Sequence, residues 1–363
     1  MAAKRKGKTL AVIGIRGFPG VQGGVESHCC QLVPRLAKAM PVRVYRRKPY
    51  LGEASMVDIE GVTFADLPST RVKGLEPVLH TFLSCMHLLT HRVDVVSVHN
   101  IGPGLFTPLL RLMGMKVVLT YHSANYEHAK WGPVARMILR LSEKVALGCS
   151  NRVIFVSSAQ RDRYSQRVLR KSVAIPNGIV AVRHPQSTEF IEKHGLVPGR
   201  YVLAVGRLTP EKGFDDLIAA VNDNPDVEKL VLAGASDQEE GYRRKLHGLN
   251  SHGKVVFTGF TTGDDLAQLY ENAAAFVLSS RNEGFPLVLL EAMSYGLKIV
   301  ATDIPAAHLI PLPQTHYCRV GDVSDMSRAI TEVLGETERP VYDLAAYDWD
   351  EIALATQDVI EGV

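Results

Sequence analysis

The sequence predicts an α/β protein with two doubly wound parallel sheets, one in each half of the chain. Short apolar runs alternate with helix-length segments in both halves, which is the pattern of parallel strands joined by helices. The pattern breaks from Pro176 to Pro198, where proline, asparagine and glycine cluster. The 363 residues, 46% of them hydrophobic, suffice for two domains of ordinary size. We expect domains over residues 1–178 and 200–345, joined by a linker over 179–199.

The elements of the first half follow from this alternation. The predicted strands are Thr9–Ile15, Val42–Tyr45, Thr63–Ala65, Val93–Val98, Lys116–Tyr121 and Arg152–Val156. The predicted helices are Val25–Ala39, Pro77–His91, Thr107–Met113, Gly132–Leu147 and Ala159–Val168.

The second half continues the same pattern. Its predicted strands are Tyr201–Val205, Leu230–Ala233, Val255–Thr258, Ala275–Leu278 and Ile299–Ala301. A helix is predicted from about Leu287 to Tyr295, because Pro286 suits a helix start and Gly296 a helix end. The amphipathic segment Glu351–Ile360 is expected to form the last helix.

Two carboxylates stand eight residues apart in the segment SSRNEGFPLVLLEAMSYG. Glu283 lies in the loop after a predicted strand, and Glu291 lies over two turns into the helix that follows. A helix start presents backbone N–H groups and the positive end of a dipole, which favour a phosphate. Carboxylates are poor phosphate ligands but good acceptors for sugar hydroxyls. The segment therefore indicates a pocket for a sugar joined to a diphosphate.

The loop after Tyr201–Val205 supplies positive charge. It reads GRLTPEKG and carries Gly206, Arg207 and Lys212. Ligands of open α/β sheets bind at the carboxyl ends of strands. The Arg207 guanidinium can bind a phosphate through two N–H groups, and Lys212 adds a point charge. The alternative is a solvated loop with two surface cations, which the downstream carboxylate pair argues against.

Together, GRLTPEKG and EGFPLVLLE resemble the donor-binding signature of the retaining glycosyltransferases of family 4. The spacing of Glu283 and Glu291 fits the E-x7-E pattern of that family without a gap. The resemblance covers nearly the whole chain, from GGVESH near the start to YDWDEIA near the end, and the first loop resembles those of bacterial polysaccharide-assembly transferases. It implies the GT-B fold, in which two Rossmann-like domains flank a cleft. It also implies that a C-terminal helix within residues 346–363 packs back on the first domain.

The resemblance implies transfer of a sugar from a nucleoside diphosphate donor to an acceptor hydroxyl, with retention at the anomeric carbon. Arg207 and Lys212 would neutralise the leaving diphosphate, Glu283 would orient the sugar, and Glu291 would hold the ribose. The nucleotide base is expected near Phe257–Phe260. The remaining donor contacts are expected at Gly206, Gly259, Phe260, Gly284, Phe285, Leu287 and Val288.

The first half carries a glycine-rich loop, GIRGFPGVQGGVESH, before a predicted helix. Gly23 and Gly24 lack a Cβ, so a bound group can approach their N–H groups closely. In family 4, the similar loop faces the donor across the cleft. The alternative is a loop built of turns. Glu26 could contact an acceptor, although the helix dipole explains an acid in a first turn equally well.

Polar residues follow two predicted strands of the first half. His122 follows Lys116–Tyr121, and the matching histidine of family 4 lies beside the transferred sugar. His99 and Asn100 end the preceding strand and are candidates for the acceptor side. The alternative for each histidine is a hydrogen-bonded polar residue without a role in catalysis.

We expect neither a metal nor a cofactor. Asp348 and Asp350 match the D-x-D pattern of another glycosyltransferase fold, but either residue also suits the N-cap of the last helix. The sequence contains no Walker loop, G-x-S-x-G motif or zinc-ligand cluster. Five cysteines, an odd number without C-x2-C spacing, argue against a disulfide framework and favour the cytosol.

The two halves differ in charge. Residues 1–180 contain 26 Lys and Arg against 10 Asp and Glu, a net charge of +16, whereas residues 181–363 contain 15 against 28, a net of −13. The basic groups include Arg43, Arg46, Arg47 and Lys48. They favour an anionic membrane surface over nucleic acid, since no nucleic-acid motif accompanies them. The alternative is ordinary solubility and attraction between the two halves.

The sequence contains no apolar window of membrane-spanning length, and its start lacks the features of a signal peptide. We therefore expect a cytoplasmic protein, peripheral on the inner face of the plasma membrane. The expected acceptor is a lipid-linked saccharide in capsule, O-antigen or exopolysaccharide assembly, and a uridine diphosphate sugar is weakly preferred as donor. The alternatives are a sugar-nucleotide epimerase of the same fold and a non-catalytic subunit that binds a sugar nucleotide.

Overall fold

The computed structural model describes residues 8–72, 74–124, 126, 132–235, 240–309 and 311–363. The chain divides into two compact units: Met1–Gly178 with Tyr347–Val363, and Ile179–Ala346. Residues 179–199, predicted as a linker, thus belong to the second unit, where they include the short helix α7, Glu189–Lys193.

The first unit contains a seven-stranded sheet in which every pairing is parallel. Its strands are β1 Leu10–Ile13, β2 Val42–Arg47, β3 Val62–Leu67, β4 Val95–His99, β5 Lys116–Tyr121, β6 Arg152–Phe155 and β7 Ser172–Ala174. The order is β3-β2-β1-β4-β5-β6-β7, so the direction of winding reverses between β1 and β4. Strand β7, a three-residue edge strand, was not predicted from the sequence.

Helices cover both faces of this sheet. They are α1 Gly24–Ala37, α2 Leu75–Thr90, α3 Thr107–Leu112, α4 Pro133–Cys149, α5 Ser158–Arg161, α6 Gln166–Leu169 and α13 Trp349–Glu361. Alternate residues of β1 point to opposite cores: Leu10 and Val12 meet side chains of α1 and α13, whereas Ala11 and Ile13 meet side chains of α2, α3 and α4.

The prediction of one helix over Ala159–Val168 is wrong, because α5 and α6 are separate. The Ser157 hydroxyl caps α5 by accepting from the Gln160 N–H, and Ser165 lies extended before α6. At the end of the chain, the Asp348 carboxylate accepts from the N–H groups of Asp350 and Glu351, which confirms it as the cap of α13.

The second unit contains a six-stranded parallel sheet in the order β10-β9-β8-β11-β12-β13. Its strands are β8 Tyr201–Val205, β9 Lys229–Ala233, β10 Val255–Gly259, β11 Ala275–Leu278, β12 Lys298–Thr302 and β13 Tyr317–Cys318. Its other helices are α8 Phe214–Asn222, α9 Glu240–Leu249, α10 Gly263–Asn272, α11 Leu287–Ser294 and α12 Val323–Gly335. Winding reverses between β8 and β11, which places the loops after these two strands at the ligand-binding edge. Strand β13, of two residues, was not predicted from the sequence.

In the described part of the chain, no helix is long and apolar enough to cross a membrane.

Two arginines of the basic group at 43–48 are buried, contrary to their expected role at a membrane surface. The side chain of Arg46 is 4% exposed and binds both Asp66 oxygens, at 2.7 and 2.9 Å. It also donates to the Ser55 carbonyl at 2.7 Å. Arg47 is ion-paired with the buried Glu76. These guanidiniums therefore hold the first unit together and are not available to lipid.

Replacing Arg46 tests this structural role. Arg46→Ala should lower the free energy of unfolding of the first unit by about 3 kcal/mol, because it leaves buried acceptors without their donor. The exposed neighbour provides the control, since Lys48→Ala should change stability by less than about 0.5 kcal/mol. Urea unfolding of both variants measures the difference. Equal stability of the two would show that the Arg46 contacts do not stabilise the unit.

Candidate active site

Two loops meet where the winding of the second sheet reverses, between β8 and β11. They bring together two predicted catalytic residues, Lys212 and Glu283. Lys212 lies on the loop after β8 and Glu283 on the loop after β11. The Lys212 Nζ lies 2.5 Å from Glu283 Oε1, and both side chains are more than four-fifths buried. Ser280 Oγ donates to the same carboxylate oxygen at 2.7 Å. Arg207 lies on the β8 loop, partly exposed.

The backbones of these loops come close enough to require glycine. Gly213 has φ +64°, and a Cβ there would stand 2.1 Å from the Ser279 carbonyl oxygen. Gly234, after β9, has φ +153°, and its Cβ would stand 1.8 Å from the Gly206 carbonyl oxygen. Gly213 of GRLTPEKG and Gly234 thus let three strand-end loops pack backbone to backbone.

Arg281, which was not predicted as a site residue, joins the same two loops. Its Nη2 lies 2.6 Å from Asp216 and 3.0 Å from Asp215 at the start of α8. Burial opposes ionisation of Asp215, but donation from Lys245, Arg281 and Tyr242 outweighs it and lowers the pKa of Asp215 to about 2. The Arg281 charge is therefore matched by the two aspartates of α8, as the Lys212 charge is matched by Glu283.

The start of α11 forms the third side of the candidate site. The helix begins after Pro286, which occupies the cap position with φ −80° and ψ 90°, and no side chain caps it. Leu287 and Val288 are partly exposed, whereas Leu289 and Leu290 are buried. The helix therefore presents its N-terminal turn and dipole at the same edge as Lys212. Gly284 and Phe285 lie in the loop that leads into this turn, partly exposed.

Glu291 points to a different environment. It accepts a hydrogen bond from Tyr270 Oη at 2.8 Å, and the Tyr270 ring stacks on Tyr295 with centroids 5.3 Å apart. Burial raises the pKa of the Glu291 carboxyl, and the bond from Tyr270 partly offsets this. The two tyrosines were not identified from the sequence.

The loop after β10 offers one exposed ring. Strand β10 ends at Gly259 with φ +73°, and the following Phe260 is 48% exposed. Phe257 instead stacks on His247 with centroids 4.1 Å apart. Of the predicted base-binding segment, Phe260 is therefore the side chain open to a ligand.

In the first unit, three histidines converge at the carboxyl ends of β4 and β5. His99 Nδ1 and His122 Nε2 form a hydrogen bond of 3.0 Å. The ring of His28, from α1, lies 4.9 Å from that of His122, and its Nδ1 bonds the Asn177 side chain at 2.6 Å. Burial lowers the pKa of all three imidazoles, that of His28 to about 4, so they are uncharged at neutral pH.

His28 was missed by the sequence analysis, although it ends the quoted motif GGVESH. Within the described residues, His28, His99 and His122 form a group with nitrogens close enough to hold a metal ion, all within 4.8 Å of one another. An all-imidazole set suits zinc, not magnesium, which takes oxygen ligands. Metal-independent transfer stays a prediction.

The other candidates of the first unit lie around the glycine loop and the end of β4. Glu26 is buried and accepts from the Arg16 N–H at 3.0 Å, and a Cβ on Gly23 would stand 2.0 Å from its carboxylate. The Glu26 carboxylate thus holds the loop in place. A Cβ on Gly24 would meet nothing within 4 Å. Asn100 adopts a left-handed conformation with φ 74°.

Two family models match the chain in succession. "Glycosyltransferase Family 4" matches residues 22–183, and "Glycosyl transferases group 1" matches residues 186–341. The chain belongs to glycosyltransferase family 4. This confirms the resemblance found in the sequence and, with the two parallel sheets, the predicted GT-B fold.

Curated relatives of this glycosyltransferase include the GDP-mannose-dependent alpha-(1-6)-phosphatidylinositol monomannoside mannosyltransferase of Mycobacterium tuberculosis. It is 26% identical, over 95% of this chain and 96% of the relative. The phosphatidylinositol N-acetylglucosaminyltransferase gpi3 subunit of Schizosaccharomyces pombe is 25% identical over 94% of this chain and 78% of its own length.

Solved structures share the fold over almost the full length. The sucrose-phosphate synthase of Thermosynechococcus elongatus superposes with a TM-score of 0.79 at 23% identity, covering 97% of this chain and 98% of the other. Anabaena HepE in complex with UDP-glucose gives a TM-score of 0.74 at 18% identity, covering 97% and 96%.

The buried histidines make the stability of the first unit pH-dependent. The unfolded chain protonates His28 near its ordinary pKa of 6.5, whereas the folded unit does so only near 4. Stability is therefore full above pH 6.5 and falls as the pH is lowered toward 4, by about 1.4 kcal/mol per pH unit for each such histidine. His28→Gln should remove one such contribution from the slope.

Urea unfolding between pH 4.5 and 7.5, in the presence of a chelator, measures this slope, with tryptophan fluorescence reporting on the first unit through Trp349. His252→Gln, at an exposed position of the second unit, is the control and should leave the slope unchanged. A His28→Gln slope equal to the wild-type slope would contradict the uncharged state of His28.

Proposed function

We propose that this glycosyltransferase moves a hexosyl or deoxyhexosyl group from a nucleoside diphosphate sugar to an acceptor hydroxyl, with retention of the anomeric configuration. The 2.5 Å contact between Lys212 and Glu283 carries the proposal. Without a donor, the two charges neutralise each other. A donor offers each a separate partner: the diphosphate for Lys212, and the sugar hydroxyls for Glu283.

The site suits the charges that develop during transfer. The bond from the anomeric carbon to the phosphate oxygen breaks, and negative charge grows on the diphosphate. Arg207, Lys212 and the start of α11 would stabilise it. Glu283 would complement the positive charge on the sugar. The acceptor oxygen bonds the anomeric carbon on the same face, and its proton passes to a diphosphate oxygen.

The remaining donor contacts are assigned by chemistry. Glu291 would accept from the ribose hydroxyls, and Phe260 would stack on the base. The similar structure of HepE, at 18% identity, holds UDP-glucose, whereas the mycobacterial relative, at 26% identity, is GDP-mannose-dependent. The more similar protein therefore favours a guanosine donor over the uridine donor preferred from the sequence. In the first unit, His122 would position the sugar, while His99 and Asn100 would line the acceptor side.

We further propose a lipid-linked saccharide acceptor in bacterial polysaccharide assembly, reached by peripheral association with the cytoplasmic face of the membrane. Two observations support it: relatives are named for phosphatidylinositol substrates, and the similar structure of WaaG is that of a glycosyltransferase involved in lipopolysaccharide biosynthesis. The net charge of residues 1–180 also fits an anionic leaflet.

Product analysis tests the proposed reaction. The protein is incubated with UDP-, GDP- and dTDP-sugars and a lipid-linked or soluble saccharide acceptor, and the product is examined by NMR. The expected result is one glycosylated acceptor with the anomeric configuration of the donor. Inversion would overturn retention. An epimerised sugar nucleotide would favour the isomerase, and donor binding without turnover across the acceptor panel would favour the non-catalytic subunit.

The two loop cations should matter for turnover. Lys212→Ala or Arg207→Ala should reduce kcat by on the order of 100-fold or more, because each removes charge directed at the leaving group. Lys245→Ala is the matched control, since Lys245 pairs with Asp215 outside the two loops and is 56% exposed. Wild-type turnover in either loop variant would exclude that residue from leaving-group stabilisation.

The two carboxylates should separate in binding experiments. Glu291→Gln should weaken nucleoside diphosphate binding about tenfold or more, because ribose loses a charged acceptor. Glu283→Gln should not weaken that affinity, because Glu283 competes with the nucleotide for Lys212, but it should depress transfer. Calorimetry with the free nucleoside diphosphate distinguishes them, and the reverse pattern would refute the assigned roles.

The affinity for the nucleoside diphosphate should also depend on pH through Glu291. Burial raises the Glu291 pKa, so the carboxylate is lost on acidification earlier than an ordinary glutamate. Wild-type affinity should fall as the pH drops through that raised pKa, whereas the affinity of Glu291→Gln should follow only the titration of the ligand.

A further inference from the structure

Helix α4 has an apolar outer face that is open to solvent. Val134, Met137, Ile138 and Leu141 are each between 50% and 65% exposed. Their spacing of three and four residues places them in one stripe along the helix. Single exposed apolar residues are ordinary on a protein surface. Four neighbouring ones on one helix mark a surface that a membrane or another molecule covers.

The opposite face of α4 packs against the sheet of the first unit, so the exposed apolar stripe is not needed for that core. Glu143 accepts from Tyr121 at 2.6 Å and from Tyr164 at 2.7 Å. Ala146 and Leu147 are buried in the hydrophobic core between α4 and the sheet. The core of this unit is therefore supplied by the opposite side of the helix.

Positive charge lies beside the stripe. Arg136, Arg140 and Lys144 are exposed on the same helix. The only acid within α4 is Glu143, whose carboxylate is taken up by the tyrosines. The exposed part of α4 therefore combines apolar and cationic side chains without an anionic one. Such a helix lies in the interface of a bilayer, with apolar groups inserted and long cationic side chains reaching the headgroups.

Neighbouring helices extend the apolar surface. Helix α3 packs against α4 and ends at Leu112, which is 87% exposed. On α2, which covers the same sheet face, Val78 and Phe82 are also exposed. Two further elements thus add apolar side chains on the side of the sheet that carries α4.

We propose that the α4 face, defined as Val134, Arg136, Met137, Ile138, Arg140, Leu141 and Lys144, docks on an anionic lipid bilayer. The charge argues for lipid: all three polar members are cations, which match phosphate headgroups, whereas a protein partner would need a complementary acidic and apolar patch. The inference extends the lipid-linked acceptor of the proposed function. Its test reads binding to lipid, so it can fail while sugar transfer stands.

Vesicle co-sedimentation of the full chain tests the proposal. The probes are vesicles of phosphatidylcholine with or without one-third phosphatidylglycerol. Wild type should bind the anionic vesicles, less as salt rises, and bind neutral ones weakly. Met137→Ser/Ile138→Ser/Leu141→Ser should reduce the partition coefficient at least tenfold. Arg136→Gln/Arg140→Gln/Lys144→Gln should reduce it on the order of fivefold per cation at low salt.

Matched controls lie elsewhere on the surface. Val341→Ser/Leu354→Ser removes exposed apolar side chains, and Lys193→Gln/Arg200→Gln/Arg244→Gln removes three exposed cations of the second unit. Both controls should bind vesicles as wild type does. Transfer to a soluble acceptor, measured for every variant, reports separately on the catalytic site and on folding.

A gain of signal provides a second measurement. Leu141→Trp should show a blue-shifted emission on anionic vesicles and quenching by brominated lipid, whereas Leu354→Trp should show neither. Wild-type vesicle binding by both α4 variants, or no binding by wild type, would overturn the proposal. A dimer that forms with rising concentration would also overturn it, if the triple serine variant abolished the dimer but still bound vesicles. The α4 face would then join two copies of the chain.

Discussion

The candidate site of this glycosyltransferase depends on how closely two loops approach at the centre of the second sheet. Gly213 lies against the Ser279 carbonyl, and the ion pair of Lys212 with Glu283 joins the same two loops. Arg281 then ties the β11 loop to the start of α8. Because the backbones are fixed, the opposite charges stand at a set separation from the start of α11. A side chain at position 213 would push the loops apart and break the pair.

The buried strands were predictable because they are continuous apolar runs. The bounds of β5, β8 and β11 agree with the sequence analysis residue for residue. The edge strands β7 and β13 give no such signal because they are only three and two residues long, whereas the longer edge strands β3 and β10 were predicted. The break between α5 and α6 depends on a serine cap and a local backbone turn, which hydrophobic periodicity does not register.

The residues predicted for the donor site all lie within short sequence motifs. The residues that were missed depend on contacts with parts of the chain that are distant in sequence. Lys212 and Glu283 are brought together across 71 positions, and their motifs already suggested one ligand. Arg281 stood inside a quoted motif, but its partners Asp215 and Asp216 lie in another part of the chain. Tyr270 lies outside both motifs, and only the fold brings its hydroxyl to Glu291. Charge patterning failed for Arg46, because the sequence does not show that Asp66 lies on the neighbouring strand.

The Lys212–Glu283 pair also bears on how a catalytic cycle closes. In the proposed reaction, a sugar nucleotide would separate the two charges and satisfy both, one with phosphate and the other with hydroxyls. Once the sugar has left, the nucleoside diphosphate would still satisfy the lysine, but the partly buried carboxylate would have lost its partner and would attract the lysine again. Restoring the pair would compete with the spent nucleotide for the same ammonium group. The resting contact would thereby favour product release over product retention.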